Sequence, residues 1–310
     1  MGLMRTALLA GSHSTWLRER ATRYGFVRRS VSRFMPGERI EDALAAAEGL
    51  RPRRIATILT QLGENITALE EGDEVTRHYL DVLERVSRAN LDAQISVKLT
   101  QLGLDQDKER CFANLMLLLQ RAAPLGNVVW IDMESSEYVD ATLDQFRRAR
   151  AVSDRVGVAL QAYLRRTPAD LESLLPLGPA IRLVKGAYRE PPELAFPRKV
   201  DVDEAYYSLA TRFLSSSPLA TGAFLGIATH DSRLIDRLGR FLATIPAASD
   251  RYEFEMLYGI QRPLQTRLVD EGSRLRVLIS YGDYWFPWYM RRLAERPANV
   301  VFVMKNVFSG

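Results

Sequence analysis

Residues able to do chemistry gather in a few short stretches of the chain. In Ile181-Arg182-Leu183-Val184-Lys185-Gly186-Ala187-Tyr188-Arg189 a β-branched run carries two cations and ends in a glycine and an aromatic. A guanidinium buried in a strand needs a partner or a polar ligand, because leaving it unpaired is costly. Lys185 would project into the rim, and Gly186 lets the backbone come close to whatever sits there. An edge strand with Arg182 and Lys185 on its wet face explains the same letters. Other polar residues end apolar segments in the same way: Lys98, Asp132 with Glu134, Gln161 with Tyr163, Thr229-His230-Asp231, Glu253 with Glu255, and Tyr281. Each alone has an ordinary reading, such as a satisfied structural aspartate or a hydrogen-bonded loop histidine. Their recurrence at one end of successive segments argues for a shared rim. That rim reads as cationic with one or two acids, which suits a ligand bearing phosphates and a carboxylate. Histidine is scarce (His13, His78, His230) and no ligand spacing for a metal is present. No G-x-S-x-G marks a nucleophilic serine.

A second constellation lies in Tyr284-Trp285-Phe286-Pro287-Trp288-Tyr289-Met290-Arg291-Arg292-Leu293-Ala294-Glu295. Pro287 can open a helix. Arg291 and Arg292 then point about 100° apart and reach one anion only off the helix's flank. Glu295 follows them at i+4 and i+3, close enough to restrain either. Adjacent arginines suit bidentate capture of a carboxylate. An amphipathic surface helix fits the pattern equally.

The elements that must position these residues follow a rhythm. Residues 1–90 read as an N-terminal helical region, with helical spacing at Thr15–Val31, Ile40–Gly49 and Asp73–Asn90 and no convincing alternating strand. From Gln94 apolar strands alternate with helices. The strands are Gln94–Leu99, Asn127–Met133, Val156–Ala162, Ile181–Lys185, Ala223–Thr229, Tyr252–Leu257, Arg276–Tyr281 and Val300–Val303. Eight strands alternating with helices over residues 91–310 predict a parallel α/β barrel, (β/α)8, as one integrated catalytic unit. A doubly wound sheet would show a G-x-G-x-x-G or P-loop turn, and neither is present.

The bulk composition sets bounds. The 310 residues are 47% hydrophobic and 26% charged, enough for a large core, and no apolar run reaches the length of a membrane span. One cysteine, Cys111, excludes an internal disulfide framework and suits a reducing compartment. The net charge of +4 comes almost wholly from arginine, since only five lysines occur. Arginines crowd the first 54 residues, Arg18, Arg20, Arg23, Arg28 and Arg29 among them. Such a face can rest on an anionic membrane surface or simply be solvated. No nucleic-acid recognition motif appears.

Taken together, seven segments resemble the flavin-dependent proline dehydrogenase family, in its monofunctional bacterial form. They are Ile95-Ser96-Val97-Lys98-Leu99, Ile131-Asp132-Met133-Glu134, Gln161-Ala162-Tyr163, Arg182 through Tyr188, Ala228-Thr229-His230, Tyr252 through Gly259, and Arg291-Arg292-Leu293-Ala294-Glu295. The resemblance implies a distorted (β/α)8 TIM barrel with additional N-terminal helices and the last barrel helix over the mouth. It implies oxidation of L-proline to Δ1-pyrroline-5-carboxylate with FAD as cofactor and a membrane quinone as electron acceptor. It further implies catalytic roles for Asp132 and Arg182. Lys98, Arg291, Arg292, Glu295, Tyr281 and Leu257 would bind substrate. Met133, Gln161, Arg182, Val184, Lys185, Gly186, Ala187, Tyr188, Thr229 and His230 would contact FAD, and Glu64 would gate the site. Asp231 and Arg189 depart from the pattern of bifunctional members, which bears on the adenine side. The chain has no room for the aldehyde dehydrogenase that some members carry, so a separate pyrroline-carboxylate dehydrogenase would take the product onward. A cytoplasmic protein, peripheral on the inner face of the membrane, is expected.

Two rivals stay open on the residues alone. One is a Schiff-base aldolase barrel with Lys98 or Lys185 as nucleophile. The other is a non-catalytic anion or nucleic-acid binder using the arginine-rich face.

Overall fold

The computed structural model describes residues 33–63, 66–215, 223–245 and 250–286. Eight parallel strands close into one barrel in sequence order: β1 (Ala56–Gln61), β2 (Ala93–Val97), β3 (Val129–Ile131), β4 (Val156–Gln161), β5 (Ala180–Val184), β6 (Phe224–Ala228), β7 (Tyr252–Leu257) and β8 (Leu275–Tyr281). The helices between them are α2 (Leu69–Arg88), α3 (Lys108–Ala122), α4 (Val139–Arg150), α5 (Thr167–Leu174), α6 (Lys199–Ser215), α7 (Ser232–Leu242) and α8 (Arg262–Asp270), with α1 (Ile40–Leu50) ahead of the first strand. The barrel shuts where β8 pairs β1 from Ala56↔Arg276 to Gln61↔Tyr281.

Period-2 alternation divides each strand between two apolar layers. Ile58, Trp130 and Ala180 fill the barrel interior, with Val128, Phe224 and Leu278 against them. Gly157 is small because a Cβ there would lie 2.5 Å from the Trp130 ring. Residues of the other parity, such as Leu59, Ile95, Ile131, Leu183, Ile227 and Ile279, meet Tyr79, Leu83, Leu118, Phe146 and Phe213 from the helices. Each large side chain so buried contributes roughly 1.5–3 kcal/mol. Helix starts are written locally: the Asp107 carboxylate accepts from the N–H groups of Glu109 (2.8 Å) and Arg110 (3.0 Å) to cap α3. Prolines stand in the first turns of α5 and α8. Among the described residues no helix is long and apolar enough to cross a membrane.

The strand count is right but its frame is shifted. Ala56–Gln61, read in sequence as part of the helical region, is the first barrel strand, and α2 is a barrel helix. A six-residue run buried on both faces carries no period to separate it from buried helix. Gln94–Leu99 is therefore the second strand, and Arg276–Tyr281 is the eighth. The expected strand at Val300–Val303 lies outside the described residues, as do the helices expected at Thr15–Val31 and Pro287–Glu295. The placement of the last helix over the mouth lies there too.

Candidate active site

All the strands are parallel, so their carboxyl ends form one mouth, and a cavity of about 520 Å³ opens there. Its floor is built around Arg182, the third residue of β5, 3% exposed. Nε of Arg182 donates to Glu255 Oε2 on β7 at 2.7 Å. Nη1 donates to Ser96 Oγ on β2 and to Asp132 Oδ1 after β3, both at 2.9 Å. Ser96 in turn donates to the same Asp132 oxygen at 2.7 Å. The guanidinium carbon stands 4.6 Å from the Trp130 ring centroid, a cation–π stack. Two edges of the fork are thus fixed, while Nη2 finds no acceptor among the described residues. The sequence reading offered pairing or a polar ligand as alternatives; the geometry supplies the partners and leaves one edge over.

One wall of the mouth carries a ring of alternating charge. Lys185 Nζ, just past β5, donates to Asp203 Oδ1 (2.5 Å) on α6 and to Asp231 Oδ2 (2.9 Å) after β6. Lys199 Nζ, at the start of α6, bonds the other Asp203 oxygen and Asp231 Oδ2 at 2.7 Å. Burial works against ionisation of Asp231, but the hydrogen bonds from Lys199 and Lys185 outweigh it. Its carboxyl is held well below the usual range. Beside it, the Thr229 hydroxyl accepts from the Asp231 N–H at 3.2 Å. His230 Nε2 accepts from the Leu257 N–H at 2.8 Å, which puts the proton of a neutral ring on Nδ1 and ties β6 to β7.

Gly186 has φ +112, and a Cβ there would lie 2.2 Å from the Tyr163 ring. Only glycine lets this backbone lie flat on that ring along the cavity wall. Gln161 donates to the Glu134 carbonyl at 2.8 Å, fixing the amide that faces the cavity. The Glu134 carboxylate accepts from Thr100 at N (3.2 Å) and Oγ1 (2.7 Å), away from the mouth. Lys98, half-buried, reaches the Gly63 carbonyl at 3.4 Å.

Of the residues expected from sequence, Lys98, Asp132, Gln161, Arg182, Lys185 and His230 line this cavity. So do Met133, Val184, Gly186, Ala187, Tyr188, Thr229 and Leu257. Tyr281 does not. It has the opposite parity from the cavity-lining Leu278 and Ser280, and its hydroxyl lies 2.7 Å from His78 Nε2 on α2, on the helix side of the barrel. Glu253 is not a rim residue either. It accepts from Arg276 Nε at 2.6 Å beside Asp92 and the Thr57 carbonyl, closing the amino-terminal end. Glu64, Arg291, Arg292 and Glu295 lie outside the described residues. The rim expected to be cationic is balanced among the described residues: Lys98, Arg182 and Lys185 against Asp132, Asp231 and Glu255. Sequence reasoning missed Ser96 and Asp203, whose only signals were their places in a strand and in the second turn of a helix.

The profile of the proline dehydrogenase family matches residues 43–305 of the chain. Proline dehydrogenase 2 of Bacillus subtilis (strain 168) is 35% identical over 305 residues, which is 98% of this chain and 99% of that one. The proline dehydrogenase of Deinococcus radiodurans is 38% identical over 285 residues, 90% of each chain. Among solved structures, proline utilization A from Bdellovibrio bacteriovorus inactivated by N-propargylglycine superposes with a TM-score of 0.79 at 22% identity. That match covers 86% of this chain and 32% of the other, so the chain spans about a third of the longer protein and shares the fold of that part.

Proposed function

The chain belongs to the proline dehydrogenase family and its activity is the oxidation of proline; from that premise we propose the finer chemistry, in which the proline ring gives hydride to FAD held over Arg182 and the product is Δ1-pyrroline-5-carboxylate. The observation that carries it is the unshared Nη2 edge of Arg182, buried under the cavity among apolar and polar walls. A buried donor left without a partner calls for a ligand acceptor at that place. When bound, FAD supplies the two-electron acceptor that no side chain provides. Gln161, Lys185, Gly186, Thr229 and His230 would hold it along β4–β6. Arg182 would present its donors to the negative charge that reduction of the cofactor develops, and Lys185, held by Asp203 and Asp231, would contribute a fixed N–H donor. Asp132 and Ser96 keep Arg182 in place. Arg291 and Arg292 would hold the substrate carboxylate, with Lys98 also on the substrate, and Glu295 and Leu257 would lie near the ring.

The ring nitrogen must shed its ammonium proton before the carbon can release hydride, so the rate rises with pH. Electrons then pass to a membrane quinone, with the basic N-terminal segment as the contact. Lys185 is ion-paired to two carboxylates. That is the opposite of the dry, unpaired pocket a Schiff-base lysine needs.

Anaerobic titration with L-proline, following the flavin absorbance, tests this reading. Stoichiometric bleaching is expected, and a colourless protein that refuses added FAD would overturn it. In steady-state turnover Arg291→Met should raise KM for proline while the flavin stays bound. An unchanged KM would remove the carboxylate assignment.

A further inference from the structure

We propose that Glu255 tunes the site: it positions Arg182 and, by gaining or losing its own charge, sets how readily the cofactor beside Arg182 is reduced. The inference rests on the flavin reading above and deepens it. Glu255 is 3% exposed and reaches the cavity from β7. One oxygen takes Arg182 Nε; the other, Oε1, has no partner among the described residues. Gly226 on neighbouring β6 makes the room, because a Cβ there would lie 2.1 Å from Oε1. The fold thus keeps a hole in one strand for an acid that reaches out from the next.

The guanidinium faces two carboxylates, Asp132 and Glu255, so its charge is over-compensated when both are ionised. Other groups facing Glu255 are Glu253 on its own strand, Arg276 on β8 and the Tyr206 phenol of α6, whose hydroxyl is bonded to the Leu183 carbonyl at 2.8 Å. Burial raises the Glu255 carboxyl above its ordinary range; Arg182 and Arg276 pull it down and Glu253 pushes it up, and burial prevails. Reduction would add negative charge to a flavin held beside Arg182. With Glu255 protonated, Asp132 alone balances the guanidinium; with Glu255 ionised the cluster carries a net negative charge that opposes the added one. Two electrons arrive with the hydride from the substrate carbon. Any proton taken up by Glu255 comes from solvent, so the balance of the reaction is unchanged.

The test uses the holoenzyme and its Glu255→Gln, Glu255→Asp and Glu255→Ala variants. Flavin midpoint potentials are measured by dye equilibration from acid to alkaline pH. Gln keeps an acceptor for Arg182 Nε without the charge. It should favour reduction about tenfold at alkaline pH, about 30 mV for a two-electron couple, and lose the bend in potential against pH. Asp restores the bend, which a merely structural role would not do. Ala frees Arg182 and loses flavin on gel filtration. Coincident potentials and slopes for wild type and Gln would overturn the inference with the flavin reading intact. A wild type that binds no flavin would bring down both.

Discussion

Gly186→Ala offers a calculable perturbation of the cavity wall. The native φ of +112 is strained for any L side chain, a cost of about 1–3 kcal/mol. The new methyl would lie 2.2, 2.4 and 2.5 Å from three carbons of the Tyr163 ring, where ordinary contact begins near 3.4 Å. The ring, 8% exposed, must retreat by more than an ångström, and overpacking of this kind costs about 1–3 kcal/mol more. The sum, roughly 2–6 kcal/mol, can fall on the fold or on the loop that carries Ala187 and Tyr188. If the loop yields, a loss of ~3 kcal/mol appears as ~150-fold weaker flavin binding. Urea unfolding of the apoprotein and flavin titration separate the two. Pairing the change with Tyr163→Ala should recover the steric share and leave the backbone share. A variant within about 0.5 kcal/mol of wild type, with unaltered flavin affinity, would refute the reasoning.

His78 is held below its ordinary range chiefly by burial, with Asp81 and Glu41 raising it and Arg85 lowering it. The folded state therefore binds fewer protons than the unfolded one. Its contribution is complete above the usual histidine value of ~6.5 and is lost as pH falls from there through the folded value. The urea midpoint should drop between neutral and mildly acidic pH, and His78→Gln should shrink that drop; parallel curves would sink the assignment. Cys111 is fully buried, its thiol pushed up to about 12 by burial and 3.5 Å from the Leu99 carbonyl. It should resist thiol reagents in the native enzyme and react at once in denaturant, and stoichiometric native labelling would contradict that environment.

Much of the mouth was legible because chemistry repeats at strand ends. Asp132, Gln161, Lys185 and His230 each follow or close an apolar run and Arg182 interrupts one, and the barrel brings all five to one cavity. What was not legible depends on pairing across distant elements. Asp203 and Asp231 neutralise Lys185 from α6 and the β6 end, so a cationic sequence pattern folds into a balanced rim. Tyr281 shows the limit of parity at a strand terminus: one residue decides between the cavity, where Ser280 points, and the helix layer, where Tyr281 meets His78. Strand β1 escaped because Thr57 and Thr60 are buried beside Ile58 and Leu59, which erases alternation.

A ribosome delivers β1 first and β8 last, yet these two strands are neighbours, and the Arg276 guanidinium spans 219 positions to reach the Thr57 carbonyl. Bringing ends so far apart together costs about 5 kcal/mol of chain entropy before any seam bond forms. A nascent chain cannot shut until Tyr281 has emerged. A product truncated before Leu275 would present two raw strand edges, one from β1 and one from β7, to every neighbouring polypeptide.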